Sequence, residues 1–170
     1  GEVRIANIAG IVPNLATLQP SYSQGLKTFR IFGTGAKSEI GILFLGDRFI
    51  DNQKFLKAVA TTTNEIFATE PFVSNIKQFS VYALSVDSTP GLDCFGLNPN
   101  YPLCDNNIVK AIINETTLAT RTNLVQTIVI VNSPYPQGKS YIGRIDGETS
   151  RHNYSLVPVA VVGDGITALH

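Results

Sequence analysis

Methionine and tryptophan are absent from this chain of 170 residues, cysteine and histidine occur twice each, and charged side chains make up only 15%. Each scarcity excludes something. With 13 basic against 13 acidic residues, the chain has no net field to draw in nucleic acid or an anionic membrane surface. No apolar run approaches the roughly 18 to 20 residues that a membrane-spanning helix needs. The opening residues GEVRIANIAG lack both an initiator and the layout of a signal peptide. A chain without any methionine reads as a processed or trimmed piece of a longer product. The two cysteines form no CxxC pair, which removes zinc-ribbon and thioredoxin-type readings. There is no GxSxG elbow for a serine hydrolase, no GxGxxG and no P-loop lysine. The GDG at residues 163–165 therefore reads as a turn with a helix cap rather than a phosphate cradle.

What is present is a hydrophobic content of 44%, enough in a chain of this size for one domain with a substantial core. Residues 1–36 are rich in Gly, Pro, Ser and Thr and read as a lead-in segment with one or two edge strands, KTFRIF at 27–32 being the clearest. Residues 37–170 read as the α/β domain proper. IGILFL at 40–45 is continuously apolar and too short for a helix, the pattern of a strand buried on both faces. Asp51 suits the cap of a helix over 52–68, in which Phe55, Val59 and Ile66, with Leu56 and Thr63, fall on one face, and Pro71 lies beyond its end. FSVYALSV at 79–86 comes next as a strand, so strand, helix and strand form a crossover unit. A long loop over 87–104 leads to a second helix at 106–117, with Ile108, Val109, Ile112 and Ile113 as its core stripe, and then to VQTIVIVN at 125–132. YIGRI at 141–145 suits an edge strand, and LVPVAVV at 156–162 a last strand with Pro158 near a strand start or an edge. Strands alternating with helices give an α/β fold with a mixed, largely parallel sheet.

Cys94 and Cys104 bracket CFGLNPNYPLC. They are close enough in sequence to pair, and a disulfide closing so short a loop stabilises by roughly 2 to 3 kcal/mol in the chain-entropy model; two unrelated thiols are the alternative. Asn114 (NET) and Asn153 (NYS) head N-x-S/T sequons, which permit glycosylation in a eukaryotic secretory route. A disulfide loop points to an extracellular location. His152, within SRHNYS, reads as a surface residue.

Several turns carry a more specific pattern. Leu45, Gly46 and Asp47 end the first buried strand, ATEPF occupies 68–72, and Ser88, Gly91 and Asp93 form Ser-x-x-Gly-x-Asp. Val131, Asn132 and Ser133 end the third strand, and VAVVGDGITALH closes the chain at His170. In this order the motifs resemble those of the IgA-peptidase-type zinc metallopeptidases, over about residues 39–170. That family's first strand ends in a Leu-Gly-Asp-Gly-Tyr-like turn, so Arg48 and Phe49 depart from it where Gly and Tyr are commoner. The resemblance implies a zincin-like N-terminal subdomain, cut at the start of the active-site helix. His170 would be the first zinc-binding histidine of an HExGH helix, whose Glu and second His are not among these residues.

The same resemblance implies peptide-bond hydrolysis by a zinc-activated water in the complete protein, with a peptide or protein substrate and no nucleic-acid or membrane partner. No catalytic residue and no zinc site of its own are expected in this chain, and no peptidase activity. The edge strand preceding the active-site helix pairs with extended substrate in zincin-like folds, which assigns Tyr141, Ile142, Gly143 and Arg144 to that role, with a plain hairpin strand as the alternative. Asp47, Asn132 and Ser133 are candidate cleft residues at strand ends; Asp47 could equally serve its own turn or pair with Arg48. A non-catalytic α/β binding module is the competing functional reading.

Overall fold

The computed structural model describes residues 21–23, 26–86, 104, 106–120, 123–132, 139–141, 144–145, 148–149 and 154–158. They form an α/β fold. The strands are β1 (Ser21–Ser23), β2 (Leu26–Phe32), β3 (Ile40–Asp47), β4 (Phe79–Val86), β5 (Asn123–Val131), β6 (Lys139–Tyr141), β7 (Arg144–Ile145), β8 (Glu148–Thr149) and β9 (Tyr154–Pro158). Helix α1 spans Asn52–Phe67 and α2 spans Asn106–Thr120. The main sheet has the order β1-β2-β4-β3-β5-β9-β6, with β7 and β8 in a separate ribbon. Its centre is parallel, with β3 between β4 and β5 and β9 beyond β5, while β1, β2 and β6 are antiparallel additions at the two sides.

The continuous apolar runs are explained by two packed faces. In β3, Ile42 and Phe44 join one hydrophobic cluster while Leu43 and Leu45 join the other. Val81 and Ala83 against Tyr82 and Leu84, and Ile128 and Ile130 against Val129 and Val131, repeat the alternation in β4 and β5. A strand covered on both sides has no polar face to alternate with, so a period of two survives only as a division between clusters. Helix α1 covers the first face with Phe55, Leu56, Ala58, Val59, Ile66 and Phe67, and α2 covers the second with Val109, Ile112 and Ile113. Phe67 is the hub of an aromatic group, its ring centroid 5.5 Å from Phe32, 6.4 Å from Phe72 and 5.4 Å from Phe79.

Asp51 caps α1 as its position suggests, its Oδ1 accepting the Gln53 N–H at 2.8 Å. The helix fits tightly against the end of β3, since a Cβ on Gly46 would lie 2.8 Å from Cδ1 of Phe55. The hydroxyls of Thr62 and Thr116, both buried, donate to the carbonyls of Ala58 and Ile112 four residues back, at 2.9 and 2.8 Å, which satisfies them inside their own helices.

Three expectations change in detail. The lead-in segment is not separate from the domain after Ser21, because β2 lies beside β4 and places Phe29 and Ile31 in the α1-face core. Tyr141 and Arg144, expected in one edge strand over 141–145, belong to different sheets, Tyr141 to β6 of the main sheet and Arg144 to β7 of the separate ribbon. Pro158 is neither at a strand start nor on an edge strand, since it ends β9 between β5 and β6. Among the described residues, the pairing of β9 with β6 reaches no further than Leu156.

Candidate functional site

From β3 the chain crosses through α1 to β4 on one side, then returns through α2 to β5 on the other. The direction of winding therefore reverses at the β3–β5 pair. In open α/β sheets ligands bind outside the carboxyl ends of the strands at such a reversal. Here those ends carry Asp47 and Asn132, two of the three residues singled out from the sequence; the third, Ser133, lies outside the described residues.

Asp47 closes β3 with 0% exposure, and its Oδ2 is 3.8 Å from Nε of Arg48, whose side chain is 49% exposed. Asp47 and Arg48 are thus within ion-pair distance of each other. Arg48 adopts φ 64°, the left-handed region in which a residue with a Cβ is held at a cost of roughly 1 to 2 kcal/mol. Phe49, next in the turn, is buried against Phe55 with ring centroids 5.2 Å apart, and Ile50 stands fully exposed.

Asn132 ties this turn to the end of β5. Its backbone N–H donates to the Asp47 carbonyl at 3.0 Å, and its Nδ2 donates to the Arg48 carbonyl at 3.1 Å. Lys54, in the first turn of α1, donates from Nζ to Asn132 Oδ1 at 3.0 Å. Sequence reasoning marked Arg48 as a departure from a glycine position and as a possible partner of Asp47, and did not single out Lys54. The glycine preference was the available signal for the left-handed turn; nothing in the sequence pointed to Lys54, whose partner is 78 positions away.

The other candidates are dispersed. Tyr141 lies at the end of β6 in register with Tyr154, and β6 has no neighbour on its outer side among the described residues. Arg144 belongs to the separate ribbon, while Ile142 and Gly143 lie outside the described residues. Cys104 is buried beneath α2 and is not a free thiol; Cys94 lies outside the described residues. Asn114 is exposed on α2, whereas Asn153 and His152 are outside them.

His170, the implied zinc ligand, also lies outside the described residues. Among those that are described, there is no group of three or more His, Cys, Asp or Glu side chains that could hold a metal ion. No described helix is long and apolar enough to cross a membrane. No family model matches the chain, and no curated protein matches it.

Proposed function

We propose that this chain is the sheet-bearing part of a secreted zinc-dependent peptidase of the IgA-peptidase type, acting on a peptide or protein substrate. The observation that carries the reading is the turn after β3. The resembling family prefers glycine at the position of Arg48, and Arg48 has φ 64°, the conformation for which glycine is suited. The aromatic position that comes after it is filled by Phe49, a core residue packed on α1. Further support comes from β6, an antiparallel strand beside β9 that is the last of the sheet among the described residues. That is the kind of edge to which an extended peptide can add main-chain hydrogen bonds.

In this reading the described residues position and bind rather than react. Asp47, Arg48 and Asn132 shape the carboxyl ends of β3 and β5, and β6 offers the edge for substrate backbone. His170 would supply one imidazole to zinc, and the other ligands and the general base would come from outside these 170 residues. The metal's contribution, when bound, is an activated water for attack on the peptide carbonyl. A bond between Cys94 and Cys104 would clamp the long loop before α2.

The test is hydrolysis of a mixed peptide library by the protein isolated from its natural source, with and without chelator. Turnover that chelator abolishes and zinc restores is the expected result, with none from the 170 residues alone. Chelator-insensitive turnover, or turnover by the 170 residues, contradicts the reading. Peptide binding without any turnover favours a non-catalytic binding module instead.

A further inference from the structure

One residue at the carboxyl end of the sheet meets three pieces of the fold, one through its backbone N–H and two through its side chain. Asn132 contacts the Asp47 carbonyl at the end of β3, the Arg48 carbonyl in the turn and the Lys54 ammonium on α1. It lies just past β5, 84 positions from Arg48 in sequence. A left-handed residue other than glycine persists where its surroundings over-determine it. The hydrogen bond from Asn132 Nδ2 to the Arg48 carbonyl does that directly, because it fixes the peptide plane that leaves residue 48. Lys54 in turn holds the Asn132 amide by its oxygen, which orients the Nδ2 group toward the turn.

We propose that Asn132 is a positioning residue: it holds Arg48 in the left-handed conformation and so locks the end of β5 to the β3–α1 turn. The consequence for function, two strand ends of fixed spacing where substrate would enter, rests on the peptidase reading. The latch itself does not. It predicts an energetic coupling between residues 48 and 132 whose origin is the backbone conformation of residue 48, not its side-chain charge.

A double-mutant cycle in the full chain, read by denaturant unfolding without metal or substrate, tests this separately from any peptidase activity. Asn132→Ala should lower the folding equilibrium constant about tenfold when residue 48 is arginine. In the Arg48→Gly background the loss should be several-fold smaller, because glycine takes φ > 0 unaided. In an Arg48→Ala background, which removes the charge and keeps the Cβ, the full loss should return. Asn132→Asp keeps an acceptor for Lys54 but loses the donor to Arg48, so it should behave like Asn132→Ala; it also carries the cycle if the alanine variant fails to fold. Equal losses in the arginine and glycine backgrounds, or wild-type stability of Asn132→Asp, would overturn the proposal.

Discussion

At the amino end of β3, Glu39 is 7% exposed and its carboxylate accepts from the Thr34 N–H at 3.0 and 3.2 Å, the Ala36 N–H at 2.8 Å and the Thr34 hydroxyl. At the carboxyl end, Asp47 is fully buried beside the guanidinium of Arg48. The two ends also treat their turns differently. The loop before β3 places glycines at its positive-φ positions, Gly33 at 90° and Gly35 at 80°, whereas the turn after β3 places an arginine at 64°. The amino-end loop is thus relaxed and its acid fully engaged, as a structural closure should be. The carboxyl end retains backbone strain that glycine would remove, beside the strand ends where ligand sites of open α/β sheets lie. That difference locates the candidate site by energetics as well as by topology.

The sharpest way to break the comparison is to add a Cβ at the relaxed end. On Gly33 it would lie 2.7 Å from both the Phe79 carbonyl oxygen and the Ser80 Cα, backbone atoms that cannot step aside. Gly33→Ala should therefore cost roughly 3 kcal/mol or more in denaturant unfolding. A loss below about 1 kcal/mol would mean that this loop is not the closure described.

Glu39 gives a smaller, pH-dependent effect. Burial acts to raise its pKa, but hydrogen bonds from the Thr34 hydroxyl and from the backbone N–H groups of Ala36, Thr34 and Gly35 outweigh it and hold the group below the ordinary glutamate value. A depressed folded-state pKa contributes stability that is present above the unfolded pKa and lost as pH falls through the folded one. Glu39→Gln should cost about 2 kcal/mol near neutral pH. The gap should narrow as pH falls below about 4.3 and vanish beneath the folded-state pKa. A gap independent of pH between neutrality and strong acid would contradict this account of the amino end.

Smallest is Lys54→Ala. It removes an exposed cation whose described partner is Asn132, and should lower stability by less than about 1 kcal/mol. If it cost as much as Asn132→Ala, the ammonium rather than the Arg48 carbonyl would be the important contact of the latch.

The centre of the fold was legible because its signals are local. Strand β3 announces itself as an apolar run between turn residues, Asp51 caps α1 at the position where an N-cap belongs, and the face carrying Phe55, Val59 and Ile66 is the buried one. The order of strands was less accessible, because which strand lies beside β3 depends on crossovers of many residues rather than on any single segment. That Tyr141 and Arg144 belong to different sheets was hidden for a related reason: nearby residues with alternating character read as one strand when pairing partners are unknown. At the site, Asp47 and Asn132 were identifiable as strand ends, but the Asn132 latch joins groups 78 and 84 positions apart and leaves no spacing pattern. Arg48 shows the intermediate case, a residue whose unusual backbone was hinted at only by its occupying a glycine position.

The functional claim turns on zinc, and its most direct test is the metal content of the protein purified from its natural source without chelators, measured by atomic emission. The account predicts about one zinc per chain, as for a single HExxH-type site, and loss of that zinc in a His170→Ala variant. A protein that carries no zinc, or that keeps it fully after His170→Ala, would contradict the account.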